Sequence, residues 1–176
     1  MKLHLGCGSK ILEGFVNVDI RQLDGVDAVE DIGKLDNFED NSVHLIYASH
    51  VLEHVSRLQR LDVLKRWHDV LNFKGVLRVA VPDFQKVVEL YGNGVCLENL
   101  MGLLYGGQDY DYNFHCYCWD FESLKRDLES VGFSNVNRYE WRETEHSDVD
   151  DYSQAYWPHM EKETGLLVSL NVEAIK

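Results

Sequence analysis

Strand-sized apolar runs alternate along this sequence with amphipathic runs of helical period, and that alternation commits the chain to an α/β sheet. Lys2–Leu5 and residues 15–20 read as strands, each followed by turn residues. Residues 26–32 form a weaker strand, and residues 43–48 are apolar enough for a central one. Leu52, Val55, Leu58, Leu61, Leu64, Val70 and Leu71 fall on one helical face, which predicts a helix over 52–71 that Lys74-Gly75 stops. Residues 76–81 are the next strand, closed by Pro82. Further helices are expected over 84–90, 97–104 and 120–131, the last with Asp120 as its N-cap and Gly132 as its stop. Residues 135–141 and 166–175 read as strands on either side of an acidic loop, a pattern that suggests a closing β-hairpin at the sheet edge.

The connections are shorter than the pattern requires. Gly8 and Phe15 are too close for a helix between the first two strands, and the step from Ile20 to Ala28 is short as well. A crossover between parallel strands ordinarily needs a dozen residues or more. One face of the sheet is therefore expected to be thinly covered, and a second copy of the chain covering it would make a homodimer.

Composition narrows the function classes. The 176 residues fit one domain, and 45% apolar residues suffice for a core. With 17 basic against 30 acidic residues the net charge is −13, which repels phosphate backbones, so no nucleic-acid partner is expected. The longest apolar stretches are strand-sized, so no membrane span is expected either. The N-terminus runs straight into a strand pattern without a signal peptide, which reads as a cytoplasmic protein. Cys7, Cys96, Cys116 and Cys118 form no C-x-x-C pair and are expected as free, partly buried thiols.

Three strand ends carry the chemistry of a nucleoside site. The first strand runs into Gly6-Cys7-Gly8-Ser9, where glycine lets the backbone approach a ligand. Asp19 closes the second strand, where a carboxylate can accept from both ribose hydroxyls. Asp31-Ile32 closes the third, with an acceptor for an adenine amino group beside an apolar wall. A dinucleotide fingerprint would require a third glycine where Ile11 stands, and a helix N-terminus for the pyrophosphate that this short loop cannot supply. The site suits a nucleoside without phosphates, which points to S-adenosylmethionine (SAM) and away from nicotinamide cofactors.

The segments HLGCGS, NVDI, EDI, DNSVHLIYASHVLEHV, LKRWHDVLNFKGVLRVAVPDF and LKRDLESVGFSNV resemble class I SAM-dependent methyltransferases, most closely small bacterial type-11-like enzymes associated with surface-polysaccharide biosynthesis. The resemblance implies a Rossmann-like sheet of about seven mostly parallel strands, the last antiparallel, and here with reduced early helices. It also implies a cofactor set of Leu5, Gly6, Cys7, Gly8, Asp19, Ile20, Asp31, Ile32, Ala48 and Ser49. Gly6 and Gly8 would line the methionine part, Asp19 the ribose, Asp31 and Ile32 the adenine, and Ala48 and Ser49 the border at the fourth strand's end.

A histidine cluster follows the fourth strand. His50 and His54 stand one helical turn apart with Glu53 between them, and His115 precedes the 120–131 helix. His50, His54 or His115 can act as a general base, because imidazole titrates near neutrality. Alternatively His50, Glu53, His54 and His115 bind a divalent metal that acidifies a hydroxyl. That set is similar to the Glu-x-x-Glu-His motif of small-RNA and ubiquinone-pathway O-methyltransferases, with His50 in place of the first glutamate; the base is the preferred reading. Glu53 and Asp83 are candidate substrate contacts, Asp83 with helix capping as its other role.

Methyltransferases acting on nucleobase amines or glutamine amides carry an Asn/Asp-Pro-Pro-aromatic motif after the fourth strand. Here that position reads ASHVLEH, and the chain's two prolines are Pro82 and Pro158. A small hydroxyl- or amine-bearing acceptor is expected instead, a sugar or glycan precursor by family association. Tyr152, Tyr156, Trp157 and His159 are a candidate acceptor wall. The competing readings are a non-catalytic SAM-binding scaffold and a nicotinamide-dependent enzyme.

Overall fold

The computed structural model describes residues 1–176. Its sheet has seven strands: β1 (Lys2–Leu5), β2 (Val16–Asp19), β3 (Ala28–Val29), β4 (Val43–Ser49), β5 (Leu71–Pro82), β6 (Ser134–Arg138) and β9 (Ser169–Ile175). Their order is β3-β2-β1-β4-β5-β9-β6, and β9 runs antiparallel to both neighbours while all other pairs are parallel. A separate ribbon pairs β7 (Tyr156–Trp157) with β8 (Leu166–Leu167). The expected closing pair forms, but its first strand, β6, takes the edge and the last strand inserts beside β5. The weak third strand shrinks to two residues.

Helices α1 (Arg60–Val70) and α4 (Phe121–Ser130) cover one sheet face, with Trp67, Leu64, Leu124 and Leu128 packed on Leu3, Leu5, Ile46, Ala48 and Leu77. α4 begins as its sequence requires: Asp120 Oδ1 accepts from the Ser123 N–H at 2.8 Å, and Ser123 Oγ accepts in return from the Asp120 N–H at 3.1 Å. Gly132, at φ +113°, ends it. Helices α2 (Phe84–Gly92) and α3 (Leu97–Tyr105) lie beyond β5 and pack on each other in a small separate core.

The predicted helix over 52–71 is corrected. Leu52–His54 make one 3₁₀ turn, Val55 is extended at ψ 136°, and α1 starts only at Arg60. Leu58, assigned to the buried face by its spacing, is 83% exposed. The break turns the 50–55 segment across the carboxyl edge of the sheet, where a continuous helix would have carried it away. Lys74-Gly75 does interrupt regular structure, but inside β5: Val43 pairs with Leu71 and Leu45 with Val76, so the intervening residues bulge, with Lys74 at φ +63°.

As expected, β1–β2 and β2–β3 are joined without helices. The face they leave open is not bare, however. The chain lays residues 141–160 over it: Tyr47 Oη donates to Asp151 Oδ2 at 2.6 Å, and the His146 ring lies tilted against the Tyr47 ring, their centroids 3.9 Å apart. Glu145 bridges Lys2 and Arg78, each at 2.8 Å. The reason for expecting a homodimer is thus met within one chain. Cys7 is buried as expected, whereas Cys96, Cys116 and Cys118 are exposed.

Candidate active site

β1 lies between β2 and β4, so the connections leaving its neighbours diverge and open a crevice at the carboxyl edge. Gly6 and Gly8 turn the chain there with φ of +64° and +54°. A Cβ on Gly6 would meet Val51 Cγ2 at 2.2 Å, so no larger residue fits. The Gly8 N–H donates to Asp19 Oδ2 at 2.8 Å, and the Arg21 backbone N–H and Nε donate to Asp19 Oδ1 at 2.9 and 3.1 Å. Asp19 therefore ties the glycine turn to the end of β2. A carboxylate has about four acceptor positions, so three bonds leave it one more. Cys7 shares the turn, but burial above all, reinforced by Asp19, pushes its thiol up to about 12 and keeps it protonated.

Three cavities meet at this edge. One of about 470 Å³ is lined by Asp19, Ile20, Asp31, Ile32 and Val63. Asp31 Oδ1 accepts from the Gly33 N–H at 2.8 Å, and the Ile32 carbonyl is held by Trp67 Nε1 at 2.8 Å. A second, of about 440 Å³, is lined by Gly6, Cys7, Gly8, Ser49, Lys10 and Asp150 among others, and offers both charges. The buried Ser49 Oγ there has no hydrogen-bond partner. The third, of about 590 Å³, is walled by Glu53, His54, His115, Tyr152, Tyr156, Trp157 and His159. His50 and Tyr110 line all three.

His50 reaches that junction because it leaves β4 in the left-handed region, at φ +49°, where a non-glycine residue is strained. Its tautomer follows from its neighbours. Asn171 Nδ2 donates to the Ser153 carbonyl at 2.8 Å, so Asn171 Oδ1 accepts from Ser169 Oγ at 2.9 Å. With its proton committed, Ser169 Oγ accepts from His50 Nε2 at 3.0 Å. His50 Nδ1 is left with a lone pair, 3.3 Å from Glu53 Oε1. His54 Nδ1 donates to the Phe114 carbonyl at 3.1 Å and His115 Nδ1 to the Leu103 carbonyl at 3.0 Å. Burial lowers all three imidazoles, His50 to about 3 and His115 to about 4, and raises the Glu53 carboxyl to about 8.

Of the residues singled out in the sequence, Gly6, Cys7, Gly8, Asp19, Ile20, Asp31, Ile32, Ser49, His50, Glu53, His54 and His115 all line these cavities. Leu5 and Ala48 do not: both are fully buried in the core, because alternation along β1 and β4 turns them towards the helices. Asp83 is also corrected. It caps α2 through Gln85 N at 3.0 Å and pairs with Arg138 at 3.2 Å, and with 1% exposure it has no free face for a substrate. Sequence reasoning missed Arg21 and Tyr110, whose guanidinium and ring stack at 4.5 Å and roof the crevice. Arg21 could have been found from its place two residues after Asp19; Tyr110 lies in a loop without periodicity.

The family model described as a methyltransferase domain matches residues 8–79. No curated protein matches the sequence. Among solved structures, a SAM-dependent methyltransferase from Archaeoglobus fulgidus is similar, with TM-score 0.60 and 16% identity over 99% of this chain and 85% of that one. A Thermotoga maritima protein described as a SAM-dependent methyltransferase, possible histamine N-methyltransferase, gives 0.61 and 13% over 99% and 81%. The Burkholderia thailandensis 1,6-didemethyltoxoflavin-N1-methyltransferase, solved with 1,6-didemethyltoxoflavin and S-adenosylhomocysteine, gives 0.59 and 12% over 99% and 70%. The seven-stranded sheet with its single antiparallel strand is the α/β Rossmann-like fold of the SAM-dependent methyltransferases, and the family match over residues 8–79 runs through β2, β3 and β4 and ends within β5.

Proposed function

We propose that the protein transfers the methyl group of SAM to a small hydroxyl- or amine-bearing acceptor, with a sugar or glycan precursor as the preferred class. The observation that carries this reading is the meeting of three cavities at His50 and Tyr110. The cavity of Asp19, Asp31 and Ile32 suits adenosine, and the glycine turn with Lys10 and Asp150 suits the zwitterionic methionine end. The sulfonium methyl then faces the third cavity, where the acceptor binds. Its aromatic wall of Tyr152, Tyr156 and Trp157 offers faces on which a sugar ring stacks.

The reaction asks little of the protein beyond alignment, since the sulfonium is already activated. A lone pair on the acceptor oxygen or nitrogen forms the bond to the methyl carbon, the carbon–sulfur bond breaks, and its electron pair stays on sulfur. The acceptor's proton passes to a neutral imidazole: His50 lines the junction, and His54 and His115 line the acceptor cavity. Calorimetry with SAM and S-adenosylhomocysteine tests the cofactor: Asp19→Ala is expected to weaken both by about tenfold or more, because it frees the glycine turn. His54→Ala is expected mainly to lower turnover, with a smaller effect on cofactor affinity. Absence of binding to either nucleoside in the wild type would refute the reading. Release of S-adenosylhomocysteine in a screen of nucleotide sugars and small amines identifies the acceptor.

A further inference from the structure

We propose, on the basis of the methyl-transfer reading, that the acceptor is a phosphate-free amine that enters the third cavity as an ammonium ion and is methylated on its nitrogen. Of the two acceptor chemistries that reading allows, hydroxyl and amine, the cavity is built for the second.

Charge separates this cavity from its neighbours. Arg21 and Lys34 line the first cavity, and Lys10 and Arg21 the second. The third, of about 590 Å³, has no lysine or arginine in its lining but carries two carboxylates, Glu53 and Asp109. A phosphate brought in there meets acidic groups and no cation to pair with. With 17 basic against 30 acidic residues, the whole chain also draws cations and repels anions. Tyr152 and Trp157 add aromatic faces, whose electron-rich surfaces attract an ammonium.

Hydrogen bonding in the buried wall points the same way. Glu53 is fully buried, and neither carboxylate oxygen has a hydrogen-bond partner. The groups that face it bring more acceptors. His50 Nδ1, at 3.3 Å, carries a lone pair because its other nitrogen donates to Ser169. His115 Nε2, 4.0 Å from Glu53 Oε1, carries one because Nδ1 donates to the Leu103 carbonyl. One nitrogen of His54 lies within 4.8 Å of both Glu53 and His115. Acceptors without donors are costly when buried. A sugar hydroxyl brings one donor, whereas an ammonium brings three and a positive charge with them. Donating bonds of about 2.8 Å in tetrahedral directions, it holds its acceptors about 4.6 Å apart, a spacing that small side-chain rotations reach here.

An ammonium nitrogen has no lone pair, so one proton leaves before transfer. It passes to the Glu53 carboxylate, which becomes the neutral acid. The freed lone pair forms the bond to the methyl carbon, the carbon–sulfur bond breaks, and its electron pair stays on sulfur. The methylated nitrogen, again positive, gives a proton to a neutral imidazole of the cluster. Glu53 and that imidazole return their protons to water as the product leaves.

The test uses the full chain, dialysed against chelator, with matched probes: glucosamine and glucose, phenethylamine and phenethyl alcohol, and glucosamine phosphate. Calorimetry with and without S-adenosylhomocysteine reads binding, and mass spectrometry after incubation with SAM reads the methylated atom. At least one amine is expected to bind about tenfold or more tightly than its alcohol and to gain an N-methyl group, and phosphate on glucosamine to weaken binding. Glu53→Gln keeps a side chain that can bond His50 and removes the charge, and is expected to weaken amine binding by about tenfold or more. Asn99→Lys adds a cation at an exposed position of the same lining and is also expected to weaken it. No amine binding by the wild type, an alcohol bound or methylated as well as its amine, or unchanged amine affinity in both variants overturns the proposal. S-adenosylhomocysteine affinity on the same samples keeps the two readings apart. Nucleoside binding without amine binding defeats the amine assignment alone, and amine binding without nucleoside binding supports the cavity's preference for cations while refuting methyl transfer.

Discussion

Gly6 shows how much a single position decides at the residue scale. Its φ is +64°, and a methyl group in place of its hydrogen would lie 2.2 Å from Val51 Cγ2, so only hydrogen fits. Gly6→Ala is expected to destabilise the fold by about 2–4 kcal/mol and to abolish S-adenosylhomocysteine binding, read by thermal melting and calorimetry. The glycines, Asp19 and the Ser49–His54 run could be picked out in the sequence because each follows a strand of clear pattern, and Asp31 because it follows a weaker one. Leu5 and Ala48 were assigned by the same adjacency and belong to the core, since position along a strand does not tell which face a side chain takes until the helices are placed. Asp83 was legible only as a choice between cap and contact; the Arg138 pairing from β6 resolves it.

At the scale of elements, the segment over 141–160 replaces the missing helices with polar and aromatic contacts. Tyr47 is fully buried beneath it, so Tyr47→Phe leaves Asp151 short of a donor and is expected to cost about 2 kcal/mol in denaturant unfolding. His4 lies on the same face, 2% exposed, stacked on Tyr47 and bonded to Asn17 at 3.2 Å. Burial lowers it to about 4, with the nearby His146 adding to the lowering and Asn17, Asp151 and Asp19 opposing it. Unfolded histidine titrates near 6.5, so below that pH the unfolded chain takes up a proton that the folded chain refuses. Stability is therefore expected to fall as pH drops from about 6.5 to about 4, and His4→Gln to make that slope shallower, with the other buried histidines keeping the rest, as urea midpoints across this range would show.

At the scale of the whole molecule, Glu145 joins the first strand to the middle of the sheet through Lys2 and Arg78. Those two cations, Lys2 foremost, hold its carboxyl down at about 2. A depressed carboxylate contributes stability above its unfolded value near 4.5, and that contribution is lost as pH falls towards 2. Glu145 is 41% exposed at its side chain, so added salt is expected to weaken the effect. Glu145→Gln should remove both the acid step and part of the salt dependence, measured as melting temperature against pH and ionic strength. No helix is long and apolar enough to cross a membrane.

The α/β class, the order of chemistry-bearing strand ends along the chain, the abbreviated early connections and the residues at those ends were all written in the linear chain. These are local properties: apolar period, glycine at sharp turns and carboxylates at strand termini leave their mark within a few neighbouring residues. Long-range packing settled the rest: the helix over 52–71 breaks, the open face is covered by the chain's own 141–160 segment, and Glu53 is buried among lone pairs. Each depends on groups far apart in sequence, His115 against Glu53 and Asp151 against Tyr47, whose meeting no local pattern encodes.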